Sequence, residues 1–136
     1  MTPGKTFRIA LLGCGRISKN HFEAIDKIDG LELVAVCDTD PERAKRAGTE
    51  WKVPHFTSYE RMLAESKADV VTIATPSGLH PEQGIAAAQA GKHVVMEKPM
   101  AISLTGADAL VQACDKAGVQ LFVVKQNRLN PPVQML

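Results

Sequence analysis

The chain has 136 residues, of which 45% are hydrophobic and 23% are charged, and its formal net charge is +1. This length predicts one domain, and the near-neutral charge gives no electrostatic footprint for nucleic acid or for an anionic membrane surface. No segment is long and apolar enough to span a bilayer. The 3 cysteines lack C-x-x-C spacing, which argues against a metal site and indicates a reducing compartment, so we expect a cytoplasmic protein.

The first predicted element is a short apolar strand at residues 9–12 that ends at a glycine turn. Gly13 and Gly15 form that turn, and a helical pattern begins at Ile17. Its apolar face is expected to carry Ile17, His21, Ala24, Ile25 and Ile28. In this setting a G-x-G-x-x-G motif binds a dinucleotide: Gly13 allows the turn, Gly15 admits the pyrophosphate, and the helix amino terminus faces the phosphates. Ser18 stands at the third glycine position, which weakens the match without breaking it.

The second predicted strand, at residues 31–37, ends at Asp38, which lies 25 residues after Gly13. This is close to the roughly 20-residue spacing of the acid that accepts hydrogen bonds from an adenosine ribose. A carboxylate there also repels a 2′-phosphate, so it favours NAD over NADP. The alternative is that Asp38 caps a turn over residues 38–41, but Asp40 suits a capping role better because Pro41 follows it.

The rest of the chain alternates helices and strands. A charged helix over residues 41–47 is expected to stop near Gly48, and a weak strand over 53–56, which contains Pro54, is expected near a sheet edge. A capping box at residues 57–60 is expected to open the next helix. The remaining expected elements are strands over 69–74, 93–96 and 119–124, a helix over 82–90 ended by Gly91, and a helix from the cap Ser103 to 117 ended by Gly118.

This alternation predicts an α/β fold with a doubly wound, mostly parallel sheet of the Rossmann NAD(P)-binding type. In such sheets ligands bind at the edge where the strands end. The expected strand ends carry Gly13 to Gly15, Asp38, Thr75-Pro76-Ser77, Glu97-Lys98-Pro99 and Gln126-Asn127-Arg128. Since a random scatter of polar residues would not favour one edge, their gathering there is the main physical evidence for a functional site.

Several of these residues have two interpretations. The segment at residues 75–77 is either an ordinary strand-to-helix turn or backbone that lies along the nicotinamide ribose. His80 either caps the helix before Pro81 or faces the cofactor or substrate, and a lone histidine is more often structural. Arg16 either contacts phosphate or is solvated, and Ile17 opens the helix beside the phosphates.

Lys98 is the strongest catalytic candidate. At a strand end beside Pro99, its amine can meet a substrate hydroxyl, and a neighbouring nicotinamide charge together with partial burial would lower its pKa, as a proton-accepting lysine needs. The alternative is a solvated lysine paired with Glu97, an interaction worth about 0–1 kcal/mol. Asn127 and Arg128 either bind a substrate anion or form a polar exit from the last strand.

The sequence resembles the glucose–fructose oxidoreductase / inositol dehydrogenase family of two-domain NAD(P) enzymes. The resemblance covers essentially the whole chain and rests on residues 13–18, 75–80 and, above all, 97–99. It implies a catalytic or substrate-orienting Lys98 and hydride transfer between a sugar or polyol carbon and the nicotinamide. With the glycine fingerprint, the expected cofactor residues are Gly13, Gly15, Arg16, Ile17, Asp38, Thr75, Pro76, Ser77, His80, Glu97, Lys98 and Gln126, and the expected substrate residues are Lys98, Asn127 and Arg128.

A narrower resemblance, to the UDP-N-acetylglucosaminuronate 3-dehydrogenases, is carried by residues 13–24, 75–81 and 122–128. Those enzymes oxidise the sugar C3 hydroxyl to a ketone ahead of a transaminase, in the biosynthesis of bacterial surface polysaccharides. The resemblance implies a nucleotide-sugar substrate, with Lys98 near the C3 hydroxyl and residues 126–128 near the substrate.

The family also places an antiparallel-sheet domain after the last strand, which supplies the rest of the substrate pocket, a catalytic histidine and usually the subunit interface. We therefore expect residues 1–126 to be the dinucleotide-binding domain and residues 127–136 to begin a missing substrate domain, through which homo-oligomers form. Two alternatives stay open. The substrate could be another sugar or a polyol such as inositol, and the chain could be a non-catalytic NAD-binding module.

Overall fold

The computed structural model describes residues 6–15, 18–75, 77–97 and 103–124, in which strands alternate with helices. The strands are β1 (Phe7–Leu12), β2 (Leu31–Cys37), β3 (His55–Phe56), β4 (Val70–Ile73), β5 (His93–Glu97) and β6 (Leu121–Val124). The α-helices are α1 (Ser18–Lys27), α2 (Pro41–Trp51), α3 (Tyr59–Glu65), α4 (His80–Gln89) and α5 (Leu104–Ala117), with a short 3-10 helix at Ser77–Leu79.

The described strands form one sheet of 6 strands in the order β3-β2-β1-β4-β5-β6. Every neighbouring pair is parallel. This is the strand order of a doubly wound dinucleotide-binding fold, so the predicted fold class is confirmed. The order of the strands reverses between β1 and β4, and in open parallel sheets the crevice at that point is where ligands bind.

The register of the sheet brings the ends of the central strands to one level. Leu12 on β1 lies opposite Cys37 on β2 and opposite Ile73 on β4. Because these strands run in the same direction, Gly13 and Asp38, which follow them, emerge side by side. The predicted gathering of polar residues at one edge is therefore a consequence of strand register.

The sheet is covered by helices on both faces, and each face has its own core. The larger core joins the strands to α3, α4 and α5 through Met62, Ala88 and Leu110, while the smaller joins them to α1 and α2 through Phe22 and Ala47. Side chains on β1 alternate between the two cores, as expected for a strand buried on both faces.

Three of the predicted helix-capping residues are confirmed. Asp40 accepts a hydrogen bond from the Glu42 backbone N–H at 3.0 Å, immediately before the proline that opens α2. Ser103 accepts one from the Gly106 N–H at 3.1 Å, and Gly118 ends α5 in the left-handed conformation. These residues act through local chemistry, and local chemistry is readable in a sequence.

Two predicted helix boundaries are wrong. Gly48 does not stop α2, which continues to Trp51 and ends at Lys52 in the left-handed conformation. Gly48 is instead buried, and a Cβ there would lie 2.9 Å from the Val53 carbonyl oxygen, so glycine lets α2 approach the chain that enters β3. Helix α3 is capped by Ser58, whose hydroxyl accepts from the Arg61 N–H at 3.3 Å, so the cap lies one residue after the predicted Thr57. Arg61 rather than Glu60 then occupies the third helical position, so the predicted capping box does not form.

The buried face of α1 also differs in part from the predicted one. Ile25 is buried as expected, but Ala24 is exposed and Ile28 is 53% exposed. Phe22 takes their place in the core and stacks on Trp51 of α2, with 5.1 Å between the ring centroids. This aromatic pair ties the first two helices together beside the glycine turn.

No helix among the described residues is long and apolar enough to cross a membrane. In the same part of the chain, no group of three or more histidine, cysteine or acidic side chains is placed to hold a metal ion.

We expect Gly48→Ala to destabilise the fold by about 1–2 kcal/mol, although alanine is the better helix former by about 1 kcal/mol. The new Cβ would press on the Val53 carbonyl oxygen, a backbone atom that moves only with the chain entering β3. Urea unfolding of the two proteins measures the difference. Thr49→Ala, on the exposed face of the same helix, is the control and should change stability by no more than about 0.5 kcal/mol. A Gly48→Ala protein at least as stable as the parent would contradict this close contact.

Candidate functional site

A cleft of about 490 Å³ opens where β1, β2 and β4 end. This is the crossover point of the sheet, where the strand order reverses between β1 and β4. Its size lies within the roughly 300–1,000 Å³ range of small-molecule sites. The lining includes Gly13, Gly15, Asp38, Arg43, Thr75 and Gln83. The structure therefore brings four of the predicted cofactor residues into one cavity.

Gly13 is required by two independent features of the cleft. Its φ of +98° is one that side-chain-bearing residues rarely adopt. A Cβ there would also lie 2.7 Å from the carbonyl oxygen of Ala74, the residue after β4. The chain leaving β1 therefore passes against the chain leaving β4, and only glycine permits that approach.

Gly15 faces open space instead. Among the described residues other than its chain neighbours, no atom lies within 4 Å of a Cβ built at this position. The packing of the described residues therefore does not require glycine here, and Gly15, which lines the cleft, leaves the turn without a side chain. That is the space a pyrophosphate needs next to backbone N–H groups, so the turn fits a dinucleotide on the geometry of this chain.

Asp38 links the glycine turn after β1 to the end of β2. Its Oδ2 atom accepts a hydrogen bond from the Cys14 N–H at 2.8 Å, and its Oδ1 atom accepts one from the Asp40 N–H at 2.9 Å. Each carboxylate oxygen has two lone pairs, so both oxygens keep acceptor capacity for ribose hydroxyls. The residue thus fixes the glycine turn while it borders the cleft, and the predicted choice between a ribose ligand and a turn residue is not exclusive.

Cys14 sits in the middle of the turn as a neutral thiol. Burial, reinforced by the Asp38 charge, raises its pKa to about 12, and burial also raises the pKa of Cys37 to about 11. At neutral pH both therefore stay protonated and add no negative charge where phosphates would lie. All three cysteines of the chain are free thiols.

A hydrogen-bonded network supports the other wall of the cleft. The buried ring of His80 places Nε2 at 2.8 Å from the Thr75 carbonyl oxygen, and since a carbonyl only accepts, Nε2 donates. The Thr75 hydroxyl donates to the side-chain oxygen of Gln83. The hydroxyl of Tyr59, whose pKa is raised by burial, donates to the Gln83 carbonyl at 2.7 Å.

Hydrogen bonds with His80 and Gln83 fix the position of Thr75. His80 reaches Thr75 through its ring, whereas Gln83 both bonds Thr75 and lines the cleft. His80 is also the first residue of α4 rather than its cap, which is Leu79. A direct contact between His80 and the cofactor stays a prediction.

The other predicted site residues fall in two groups. Ser77 belongs to the 3-10 helix before α4, and Glu97 ends β5 one residue after Met96, which pairs with Ile73. The predicted residues outside the described part of the chain are Arg16, Ile17, Pro76, Lys98, Gln126, Asn127 and Arg128.

Sequence reasoning missed Arg43 and Gln83, which both line the cleft. Each lies within the first four residues of a helix that follows a cleft-forming strand end. That position was a usable signal, because the first turn of a helix after a parallel strand points its residues toward the strand ends.

A comparison with protein families agrees with this geometry. Residues 7–125 match the model of the GFO_IDH_MocA oxidoreductase family, NAD-binding Rossmann fold. The chain belongs to this family. The predicted resemblance and the predicted cofactor, NAD, are thereby confirmed, and the cleft at the crossover point is where the cofactor fits.

Three similar proteins indicate the range of relatives. The WlbA dehydrogenase from Bordetella pertussis, solved with NADH and UDP-GlcNAcA, is 52% identical with a TM-score of 0.93 over 96% of this chain and 40% of that one. A D-apiose dehydrogenase of Paraburkholderia graminis is 41% identical over 98% of this chain and 36% of its own length. An NADP(+)-dependent scyllo-inositol 2-dehydrogenase of Bacillus subtilis is 35% identical over 91% of this chain and 34% of its own.

The chain thus spans between about a third and two fifths of the length of these relatives. The described cleft lies within the NAD-binding fold that the family model covers.

We expect Asp38→Ala to weaken NADH binding at least about tenfold and to speed amide hydrogen exchange at Cys14, because the turn loses its acceptor. Calorimetric titration and hydrogen exchange of the NADH-free chain measure the two effects. Asp38→Asn, which keeps one side-chain oxygen as an acceptor, should be intermediate in both.

Asp69→Ala is the matched control. Asp69 accepts the Arg8 N–H at 2.9 Å at the opposite end of the sheet, so its loss should cost similar stability and leave NADH binding unchanged. Equal loss of NADH affinity in the Asp38 and Asp69 variants would contradict a specific role for Asp38.

Proposed function

We propose that this chain is the NAD-binding part of a dehydrogenase that oxidises the C3 hydroxyl of UDP-N-acetylglucosaminuronate. The observation that carries the proposal is the match of fold and sequence to the WlbA dehydrogenase, whose structure holds NADH and UDP-GlcNAcA and which is 52% identical with a TM-score of 0.93. A substrate domain beyond residue 126 would complete the sugar pocket, form the subunit contacts and place the enzyme in surface polysaccharide biosynthesis.

In this proposal the cofactor lies across the crossover point of the sheet. Gly13 and Gly15 receive the pyrophosphate, Asp38 accepts from the adenosine ribose, and Thr75 borders the nicotinamide ribose. Arg16, Ile17, Pro76, Ser77, His80, Glu97 and Gln126 complete the cofactor-binding set. NAD+ bound there supplies a hydride acceptor for the carbon that bears the substrate hydroxyl.

Lys98 is the proposed base of the reaction. It follows Glu97, the last residue of β5, and the preceding Met96 pairs with Ile73 at the end of β4, a strand that borders the cleft. As the carbon–hydrogen electron pair leaves the sugar, the C3 oxygen forms a double bond to carbon, and its proton passes to the Lys98 amine. The amine must be neutral to accept that proton, and the positive charge of a nearby nicotinamide would favour the neutral form. Asn127 and Arg128 are proposed to bind the substrate, with the guanidinium suited to its carboxylate or phosphates.

A second substrate class has its own support. Relatives at 41% and 35% identity act on D-apiose and scyllo-inositol, so a free sugar or polyol is the alternative. A non-catalytic NAD-binding module is the alternative of a different kind, and Lys98 separates the two, because a cofactor sensor has no need of a proton-accepting lysine.

The test is turnover by the full-length protein that carries this chain, with NAD+ and each of UDP-GlcNAcA, scyllo-inositol, myo-inositol and D-apiose. We expect oxidation of UDP-GlcNAcA, and we expect Lys98→Ala to lower kcat by about 100-fold to 10,000-fold while NADH affinity changes little. The control is Lys116→Ala, which removes an exposed lysine of α5 and should leave kcat unchanged.

Three other outcomes are informative. Turnover of a polyol but not of the nucleotide sugar would replace the proposed substrate, and full activity of Lys98→Ala would remove the proposed base. No turnover on any of the four, with NADH still bound, would favour the sensing module. The 136-residue chain alone should bind NAD weakly without oxidising UDP-GlcNAcA, since the proposal places the rest of the pocket outside it.

A further inference from the structure

One face of the sheet changes from buried to exposed along a single row of paired residues. The strand register aligns one residue from each of the five longer strands on this face: Val36, Leu11, Thr72, Val95 and Phe122. Val36 and Leu11 are fully buried and Thr72 is 4% exposed, whereas Phe122 is 56% exposed. This face is therefore covered over β1 and β2 and open over β6.

The two cores of the sheet account for this gradient. On β6 the neighbours of Phe122, which are Leu121 and Val123, pack against the larger core on the opposite face. Among the described residues, the smaller core takes its strand residues from β1 and β2, and neither core includes Val95 or Phe122. The Phe122 ring thus lies over a part of the sheet that α1 and α2 leave uncovered.

The topology explains why the described helices leave this area open. Crossover connections between parallel strands are right-handed. Helices α1 and α2 follow strands that progress from β1 toward β3, whereas α4 and α5 follow strands that progress from β4 toward β6, in the opposite direction. The two pairs of helices therefore lie on opposite faces. Since parallel sheets are normally buried on both faces, the area around Phe122 needs cover from outside these crossovers.

The chain after β6 carries a segment that fits this area, outside the described residues. Residues 131–136 read Pro-Pro-Val-Gln-Met-Leu, and proline is favoured at the start of a helix. In a helix that starts there, Val133 and Leu136 share one face while Met135 lies on another. Residues 125–130 connect this segment to β6 and can span about 20 Å, whereas packed layers lie about 10 Å apart.

From this arrangement we propose that residues 131–136 start a helix that packs on the open face of β5 and β6. Val133 and Leu136 then contact the Phe122 ring and cover it. The packing holds both ends of the span over residues 125–130, on which the proposed function places substrate contacts. The packing itself rests on neither the substrate nor the cofactor.

The test is a double-mutant cycle in the 136-residue chain, with urea unfolding as the measurement. One change is Phe122→Ala, and the other is the paired replacement Val133→Ala with Leu136→Ala. Because both changes remove the same contact, we expect their combination to lower the urea midpoint by no more than about two thirds of the sum of the separate shifts.

Two matched controls separate this contact from a general loss of stability. Ile28 of α1 is 53% exposed, close to the exposed fraction of Phe122, so Ile28→Ala should be additive with the paired replacement. Met135→Ala changes a different side of the proposed helix and should be additive with Phe122→Ala.

Nuclear Overhauser contacts in the unmodified chain give a readout that does not require any variant to fold. We expect contacts between the Phe122 ring protons and the methyl groups of Val133 or Leu136. They decide the question if the combined variant proves too unstable to measure.

Three results would overturn the proposal. They are additive midpoint shifts for Phe122→Ala and the paired replacement, a folded chain without these ring-to-methyl contacts, and a dimer, seen by sedimentation, that Phe122→Ala dissociates. The last result would assign the open face to a second copy of the chain. None of them bears on the proposed substrate, which turnover tests separately.

Discussion

The site depends on the hydrogen bond between the Cys14 N–H and the Asp38 carboxylate, 2.8 Å long. It crosses from the turn after β1 to the end of β2 and so joins the two segments that we propose contact the pyrophosphate and the adenosine ribose. The bond is available only because the register places Leu12 opposite Cys37, which brings the residues that follow to the same level. On the other side, Gly13 passes against Ala74 at a distance that excludes any side chain. The turn is therefore held from both neighbouring strands before any ligand arrives.

This arrangement has a consequence for cofactor choice. One carboxylate holds the turn and, in the proposed binding mode, accepts from the ribose, so a substitution aimed at cofactor specificity also alters the backbone of the turn.

The parts of this structure that a sequence reveals are those that local chemistry decides. Asp40 before a proline and Gly118 after a helical pattern act within a few residues of themselves, and their roles were predictable. Gly48 is also a glycine, but it does not end a helix. It allows a close contact with the Val53 carbonyl oxygen, and the local sequence pattern gives no sign of that contact. The residues that follow the strands were predictable because the carboxyl ends of parallel strands lie at the same edge of a sheet. Gln83 is an intermediate case: its place in the first turn of α4 could have marked it from sequence, but its bond to Thr75 depends on the packing of α4.

The most direct test of the central claim is a crystal structure of this chain with NADH. The account predicts the pyrophosphate beside Gly15, the adenosine ribose hydroxyls within hydrogen-bond distance of Asp38, and the Cys14 N–H still bound to that carboxylate or to the ligand. NADH bound elsewhere on the sheet, or bound at the turn with Asp38 directed away from both the ribose and Cys14, would contradict it.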